Sequence, residues 1–269
     1  MSEAGAMKGA DVLPILSFAL SIKKEKILVS LDNEIGDEAA RTITTLVRER
    51  EAGKPLAYIT REKEFFSHSF FVDGRVLIPR PETELLVEEA LAILEKRNDL
   101  RSVMDMGTGS GVVGNTIARL SLRSVLCVDI SPGALDVAQK NGRDSGMAER
   151  LTFLCSDLMS GIKKGRKFDM IVANLPYVAE HEWDGLMRDV KEYEPASALL
   201  GGPDGLDIYR RFVRLLPDHL SEHGFVLIEI GDGQGKKVAE LFESSGLNAA
   251  LKKDLAGKER MVRGSWTDL

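Results

Sequence analysis

Apolar positions in the first sixty residues fall at helical spacings and are separated by charged ones: Val12, Leu13 and Leu16, then Ile27 and Leu28, then Ile43, Leu46 and Val47. That pattern predicts a small helical domain over residues 1–62. The texture changes at residues 64–78 (EFFSHSFFVDGRVLI), where aromatic and β-branched residues surround Asp73-Gly74. An Asp-Gly pair between apolar runs is a hairpin signal, so residues 63–80 read as a hairpin linker. The segment PRPETELLVEEALAIL then places Pro81 at a first helical position, with Glu82 and Glu84 in the first turn, where acids suit the helix dipole. Five short apolar runs follow (SVMDMG, SVLCVDI, LTFLCSD, FDMIVAN and GFVLIEIG), separated mostly by helical segments. Ser131 is a good N-cap and Pro132 a good first helical residue for the helix after the second run. Repeated strand–helix units imply an α/β domain over residues 81–269, built on a parallel sheet covered on both faces. Residues 247–255 and 260–266 are candidates for two more strands.

Composition changes this picture little. The chain has 269 residues, 43% of them hydrophobic and 29% charged, which describes a globular protein with ample core. A net charge of −6 disfavours a large nucleic-acid footprint, because many phosphate contacts need a basic excess. The apolar run at residues 13–22 is too short to span a bilayer and lacks a small-residue cleavage signature, so no membrane segment and a cytoplasmic location are expected. Cys127 and Cys155 both sit inside strand-like runs and read as buried, reduced thiols. The four histidines show no metal-binding spacing, so no metal is expected.

The chemistry concentrates at strand ends. The first strand runs into Asp105, Met106, Gly107, Thr108, Gly109, Ser110 and Gly111, and a helix begins at Val112. Glycines there let the backbone approach a ligand, and the helix N-terminus offers free N–H groups to an anion. The run from Gly109 to Gly114 also satisfies the dinucleotide pattern GxGxxG, a weak match because glycine-rich turns of this kind are common. Asp129 closes the second strand about twenty residues on, where a carboxylate can accept ribose hydroxyls of either kind of nucleoside cofactor. Asp157 closes the third strand as a candidate acceptor for an adenine amino group, with Leu158 placed to pack on the ring. Each of these aspartates is also an ordinary turn or capping residue.

The fourth strand is the informative one. It ends in Asn174-Leu175-Pro176-Tyr177, at the edge where open α/β sheets bind ligands. Pro176 fixes its own φ and pushes Leu175 toward an extended conformation. Two acceptors, the Asn174 side-chain oxygen and the Leu175 carbonyl, can then meet the two hydrogens of one NH₂ group, while Tyr177 covers the planar group beside it. An amide or aryl-amine nitrogen is a poor nucleophile because its lone pair is delocalised. Holding both protons favours pyramidal geometry and turns the lone pair toward an electrophilic methyl. In-line placement alone can supply ~7–11 kcal/mol of a barrier. Neither a metal nor a strong base is needed.

At these residues the chain resembles a class I S-adenosylmethionine methyltransferase with the nitrogen-acceptor motif. The segments GKPLAYITREKEFF (53–66), LIPRPETELLVEEAL (77–91), DMGTGSG (105–111), EYEPASALLGGPDGLDIYRR (192–211) and DLAGKERMV (254–262) resemble the HemK/PrmC family, the release factor glutamine methyltransferases. The resemblance implies a Rossmann-like domain with a seven-stranded, mostly parallel sheet. It also implies a small helical N-terminal domain for substrate recognition and a hairpin linker. The expected reaction is methyl transfer from S-adenosylmethionine to the glutamine amide of the Gly-Gly-Gln motif in peptide-chain release factors. Residues Gly107, Thr108, Gly109, Ser110 and Gly111 would bind the methionine part of the cofactor, Asp129 the ribose, and Asp157 with Leu158 the adenine. Asn174, Leu175, Pro176 and Tyr177 would grip the glutamine amide, Asn174 also bordering the cofactor. Arg80 or Glu82 would belong to a lid, and Glu194-Pro195 with the Gly201-Gly202 turn would shape the substrate mouth. Leu175 replaces the family's usual first proline, Leu158 stands where many members carry an aromatic, and Arg61 stands where a glycine is usual. The alternative is an adenine-N6 methyltransferase acting on RNA or DNA, since NLPY is also spelled so in ribosomal RNA dimethyladenosine enzymes. A module that holds adenosine or a dinucleotide without chemistry is the other.

Overall fold

The computed structural model describes residues 9–29 and 33–267; the first eight and last two positions of the expected domains, and residues 30–32, lie outside the described residues. Four helices come first: α1 (Gly9–Leu20), α2 (Lys24–Leu28), α3 (Asp37–Glu51) and α4 (Leu56–Thr60). Ile15, Ile27, Tyr58 and Ile59 are their buried apolar residues among those described, and an ion pair from Arg50 to Asp11 (2.9 Å) ties α3 to α1. Arg61 ends α4 in a left-handed conformation (φ 53°, ψ 31°), the backbone shape that explains why a glycine is usual there.

A two-stranded hairpin comes next, β1 (Glu62–Phe65) and β2 (His68–Phe71), with Phe65 opposite His68. Its turn is Phe66-Ser67, not the expected Asp73-Gly74. Both turn residues have positive φ (51° and 59°), as a two-residue hairpin turn of this hand requires, and the Glu84 carboxylate accepts the Phe66 N–H at 2.8 Å. Asp73-Gly74 instead makes a later bend, in which the Asp73 carboxylate accepts the Arg75 N–H (3.1 Å) and pairs with its guanidinium. Just after that bend, Val76 and Ile78 are buried against Tyr58, Val72, Ala134 and Val137.

The main sheet contains β3 (Ser102–Met106), β4 (Ser124–Asp129), β5 (Leu151–Cys155), β6 (Phe168–Ala173), β7 (Leu220–Glu229), β8 (Asn248–Lys253) and β9 (Glu259–Ser265). Their order is β5-β4-β3-β6-β7-β9-β8. The first five are parallel neighbours, while β9 runs antiparallel to both β7 and β8. The central strands are buried on both faces, which is why they read as nearly unbroken apolar runs. Alternate residues face different helices. Met104, Leu126, Ile171 and Val226 pack with α9 (Asp207–His219) and α10 (Gly235–Ser244) through Tyr209, Phe212, Leu216 and Phe242. Val103, Val125, Met170 and Leu227 pack with α5 (Glu84–Lys96) and α6 (Val112–Ser121) through Leu86, Val87, Val113 and Ile117. Helix α7 (Pro132–Asp144) begins as expected, with Ser131 Oγ accepting the Ala134 N–H, and a short α8 (Arg188–Tyr193) lies between β6 and α9. One thiol departs from expectation: Cys127 is buried, but Cys155 is exposed because β5 is the edge strand.

Candidate active site

The strand order reverses between β4 and β6, which flank β3 on opposite sides, and the crevice at the carboxyl ends of these strands is where open sheets of this kind take ligands. A cavity of about 250 Å³ lies there. One wall is the β3–α6 loop. Gly107 (φ 72°) passes so close to the fourth-strand turn that a Cβ on it would stand 2.8 Å from the Asn174 carbonyl oxygen and 3.1 Å from a Leu175 methyl. Only a residue without a side chain fits. The loop is held from behind by Asp105, which accepts the Thr108 hydroxyl (2.6 Å) and the Gly114 N–H (2.9 Å) on one oxygen. Burial raises the Asp105 pKa to about 6 even against those two bonds. Asp105 does not line the cavity; it shapes what does.

Asp129 reaches the cavity and also binds the loop. Its two oxygens accept the N–H groups of Gly109 (2.8 Å) and Ser131 (2.9 Å), and burial raises its pKa. Each oxygen keeps a second lone pair for a ligand hydroxyl. Asp157 and Leu158 line the same cavity, and Asp157 accepts a bond from Arg211 of α9 at 2.5 Å. Nothing in the sequence marks Arg211 as a site residue, since its partner lies 54 positions away. Ile130, Leu200 and Ile208 supply apolar surface on this side.

Gly107, Thr108, Gly109, Ser110, Asp129, Asp157, Leu158, Asn174, Leu175 and Pro176 therefore meet around one cavity. Gly111 and Tyr177 do not line it. Gly111 packs against Ala138 of α7, 2.9 Å from where its Cβ would be, and so seats the start of α6. Tyr177 borders a neighbouring cleft with His181, Glu182 and Gln234, its carbonyl accepting the Gln234 side-chain N–H at 2.9 Å. Burial, followed by the nearby Glu229 charge, pushes its phenol up to about 12.

The roof comes from residues 75–83. Arg80 forms a 2.6 Å ion pair with Glu194, whose other oxygen accepts the Ile78 N–H at 3.1 Å. Two segments more than a hundred positions apart in the sequence thus clasp one another. Glu82 and the Gly201-Gly202 turn stand outside the lining, whereas Pro195 and Leu200 are part of it.

Behind Asn174 lies a group that sequence reasoning missed. The Asn174 carboxamide donates to the Thr83 hydroxyl at 3.2 Å. The Glu229 carboxylate, 4% exposed at the end of β7, lies beside both side chains, whose polar groups favour its charged form. Burial lifts the Glu229 pKa to about 7. The letters IEIG offered only an acid at the end of an apolar strand. Among the described residues no cluster of His, Cys, Asp or Glu is arranged to hold a metal, and no helix is long and apolar enough to cross a membrane.

Residues 103–193 match the family model of a methyltransferase domain, and residues 6–60 match that of the PrmC N-terminal domain. A release factor glutamine methyltransferase of Bacillus cereus is 38% identical over 92% of this chain and 89% of its own length. One from Koribacter versatilis is 40% identical over 93% and 88%. Among solved structures, a ribosomal protein L11 methylase from Lactobacillus delbrueckii superposes with a TM-score of 0.53 at 23% identity, covering 71% of this chain and 81% of that one. The last likeness speaks for the fold alone.

Proposed function

The chain belongs to the family of release factor glutamine methyltransferases, and on that premise we propose how its own residues carry the reaction. The enzyme transfers a methyl group from S-adenosylmethionine to the side-chain amide nitrogen of a glutamine, that of the Gly-Gly-Gln motif in a peptide-chain release factor. The cavity fits the nucleoside donor. It combines a bare backbone at Gly107, a carboxylate with spare lone pairs at Asp129 and an apolar wall beside Asp157. When bound, S-adenosylmethionine would supply an electrophilic methyl group on a sulfonium, with S-adenosylhomocysteine as the leaving thioether and one proton lost from the amide nitrogen. Asp129 takes the ribose hydroxyls, and Leu158 with Ile208 covers the base. Leu158 does so without aromatic stacking, and Arg211, paired to Asp157, flanks the same end.

The acceptor amide is received at Asn174 and Leu175. One observation carries this assignment: the Asn174 carboxamide is anchored through its NH₂ to Thr83, which leaves its Oδ1 free to face the cavity that Asn174 lines with Leu175 and Pro176. Oδ1 and the Leu175 carbonyl accept the two amide protons, fix the plane of the group and expose the nitrogen lone pair. Leucine serves in place of proline because only the carbonyl is needed, and its side chain, 4% exposed, fills the space beside Gly107. Tyr177 acts at the rim, bordering the cleft by which flanking residues of the protein substrate arrive. The helical N-terminal region, no described residue of which lines the cavity, is the part free to recognise the release factor. A cytoplasmic setting, protein rather than nucleic acid as substrate, and no membrane attachment complete the reading.

Its test is transfer of labelled methyl to purified release factor, set beside calorimetry with S-adenosylmethionine. Asn174→Ala is expected to keep donor affinity within a few-fold and to lose roughly 10²–10³ in kcat, the usual consequence of removing one preorganised partner. Asp129→Ala should mainly weaken donor binding. Equal loss of binding and turnover in Asn174→Ala, or label in RNA instead of protein, would sink the assignment.

A further inference from the structure

We propose that Glu229 is a positioning residue for the methyl-transfer step, setting which way the Asn174 carboxamide faces. The inference rests on the reading of Asn174 and Leu175 as the amide grip. A carboxamide is nearly isosteric with its own flipped form, in which oxygen and nitrogen exchange places. In one orientation Asn174 offers an acceptor to the cavity; in the other it offers a donor, which repels the protons of an incoming amide. Side-chain shape does not choose between them. The hydrogen-bond chain behind the residue does.

That chain has a direction. Thr83 is 3% exposed, and its hydroxyl has one proton and two lone pairs. An ionised Glu229 is acceptor only and its buried Oε2 has no other partner, so the Thr83 proton is drawn toward the carboxylate, and the remaining Thr83 lone pairs receive the Asn174 NH₂ at 3.2 Å. Flipping Asn174 would set its oxygen against those lone pairs in a buried site. The direction is lost when Glu229 holds a proton, because its O–H can donate to Thr83 and free the Thr83 proton to meet the carboxamide oxygen, so that Thr83 can face either the NH₂ or the oxygen of Asn174.

The surroundings of Glu229 leave it the freedom to do this. Its Oε2 is buried without a hydrogen-bond partner. Glu82 repels its charge, Arg260 (itself 3.9 Å from Glu82) attracts it, and the phenols of Tyr177 and Tyr209 lie near it. Tyr209 donates to the Glu229 backbone carbonyl at 2.8 Å and not to the carboxylate. With burial placing its titration at about 7, Glu229 changes state within the neutral range.

The experiment measures kcat on release factor at saturating S-adenosylmethionine across about pH 6 to 9, for wild type, Glu229→Gln, Asn174→Ala and the double variant. Wild-type kcat should fall as pH drops through about 7. Glu229→Gln keeps the shape but not the acceptor-only character, so its kcat at the upper end should be down roughly tenfold, about one lost orientation preference, with donor affinity unchanged and the inflection gone. The double variant should lose no more than Asn174→Ala does alone, because Glu229 acts through that residue. A second readout needs no turnover: the side-chain amide signals of Asn174 in nitrogen-15 NMR should shift with the same midpoint in wild type and stay fixed in Glu229→Gln. Wild-type rate and inflection in Glu229→Gln, multiplying losses in the double variant, or Asn174 signals indifferent to pH would each overturn the proposal. A wild-type rate in Asn174→Ala would instead bring down the amide grip, and this inference with it. Should Glu229→Gln fail to fold, the NMR titration of the wild-type chain decides alone.

Discussion

Arg61 is held in a conformation that costs an L-residue roughly 1 kcal/mol and glycine little. Arg61→Gly is therefore expected to raise the melting midpoint by about 2–4 °C at this chain length, less whatever the added freedom of the unfolded chain takes back. Calorimetry checks it, and a lowered midpoint would mean that the arginine side chain holds something the backbone argument ignores. At this scale the site was partly legible. Asp129, Asn174, Gly107 and Gly109 could be placed at the cavity because each sits at or just after a strand end with a distinctive neighbour. Thr83 and Glu229 could not, because Thr83 meets Asn174 across 91 positions and nothing local marks either as functional. Tyr177 carries the opposite lesson: adjacency in sequence to Pro176 did not put it in the same cavity.

Among the elements, the segment over the cavity is the one whose stability is most exposed to a single change. Glu194 is 2% exposed in its side chain and serves Arg80 and the Ile78 N–H together. Glu194→Ala leaves a buried N–H without a partner and releases a guanidinium that is one-third exposed. Roughly 1–3 kcal/mol of local stability should go, the Arg80 share discounted for solvent. We expect faster proteolysis at residues 76–80 and weaker donor binding, with the sheet intact by circular dichroism; unchanged cleavage would show that the roof is held by its apolar contacts alone. The strands and most helices were visible from periodicity and from caps such as Ser131. The hairpin turn was not, because Phe66 and Ser67 adopt positive φ without being turn residues by type, while Asp73-Gly74 looks like a hairpin turn and spends its carboxylate on Arg75.

For the molecule as a whole, enclosed acids make stability fall as pH rises, Asp129 with its raised pKa among them. Asp105 titrates at about 6 and Glu229 at about 7 when folded, both above their ordinary values. The folded state thus holds these protons more tightly than the unfolded chain does. Their stabilising contribution is complete below about pH 4 and is lost as pH climbs through about 6 and then about 7, a few kcal/mol in all. Opposed to this, Asp99 and Asp204 are held at about 2 by Arg97 and Arg210, so they weaken the fold only in strong acid. The ligand-free protein should melt higher at about pH 5.5 than at about pH 8, and Glu229→Gln should recover part of the difference only at the higher pH. A midpoint rising steadily over that interval would refute the assignment. No composition figure foretold it, since the net charge of −6 says nothing of which acids are enclosed.

The near-contact between Gly107 and the Asn174 carbonyl bears on how such an enzyme can change in evolution. On the proposed assignment, the turn that receives the acceptor and the loop that receives the donor share one wall, so neither can drift alone. A lineage seeking a new acceptor must keep the backbone at position 174 where the glycine tolerates it, and is left to vary the rim. Novelty in substrate choice should then accumulate in the residues around the opening and in the N-terminal helices, while the interior stays nearly frozen.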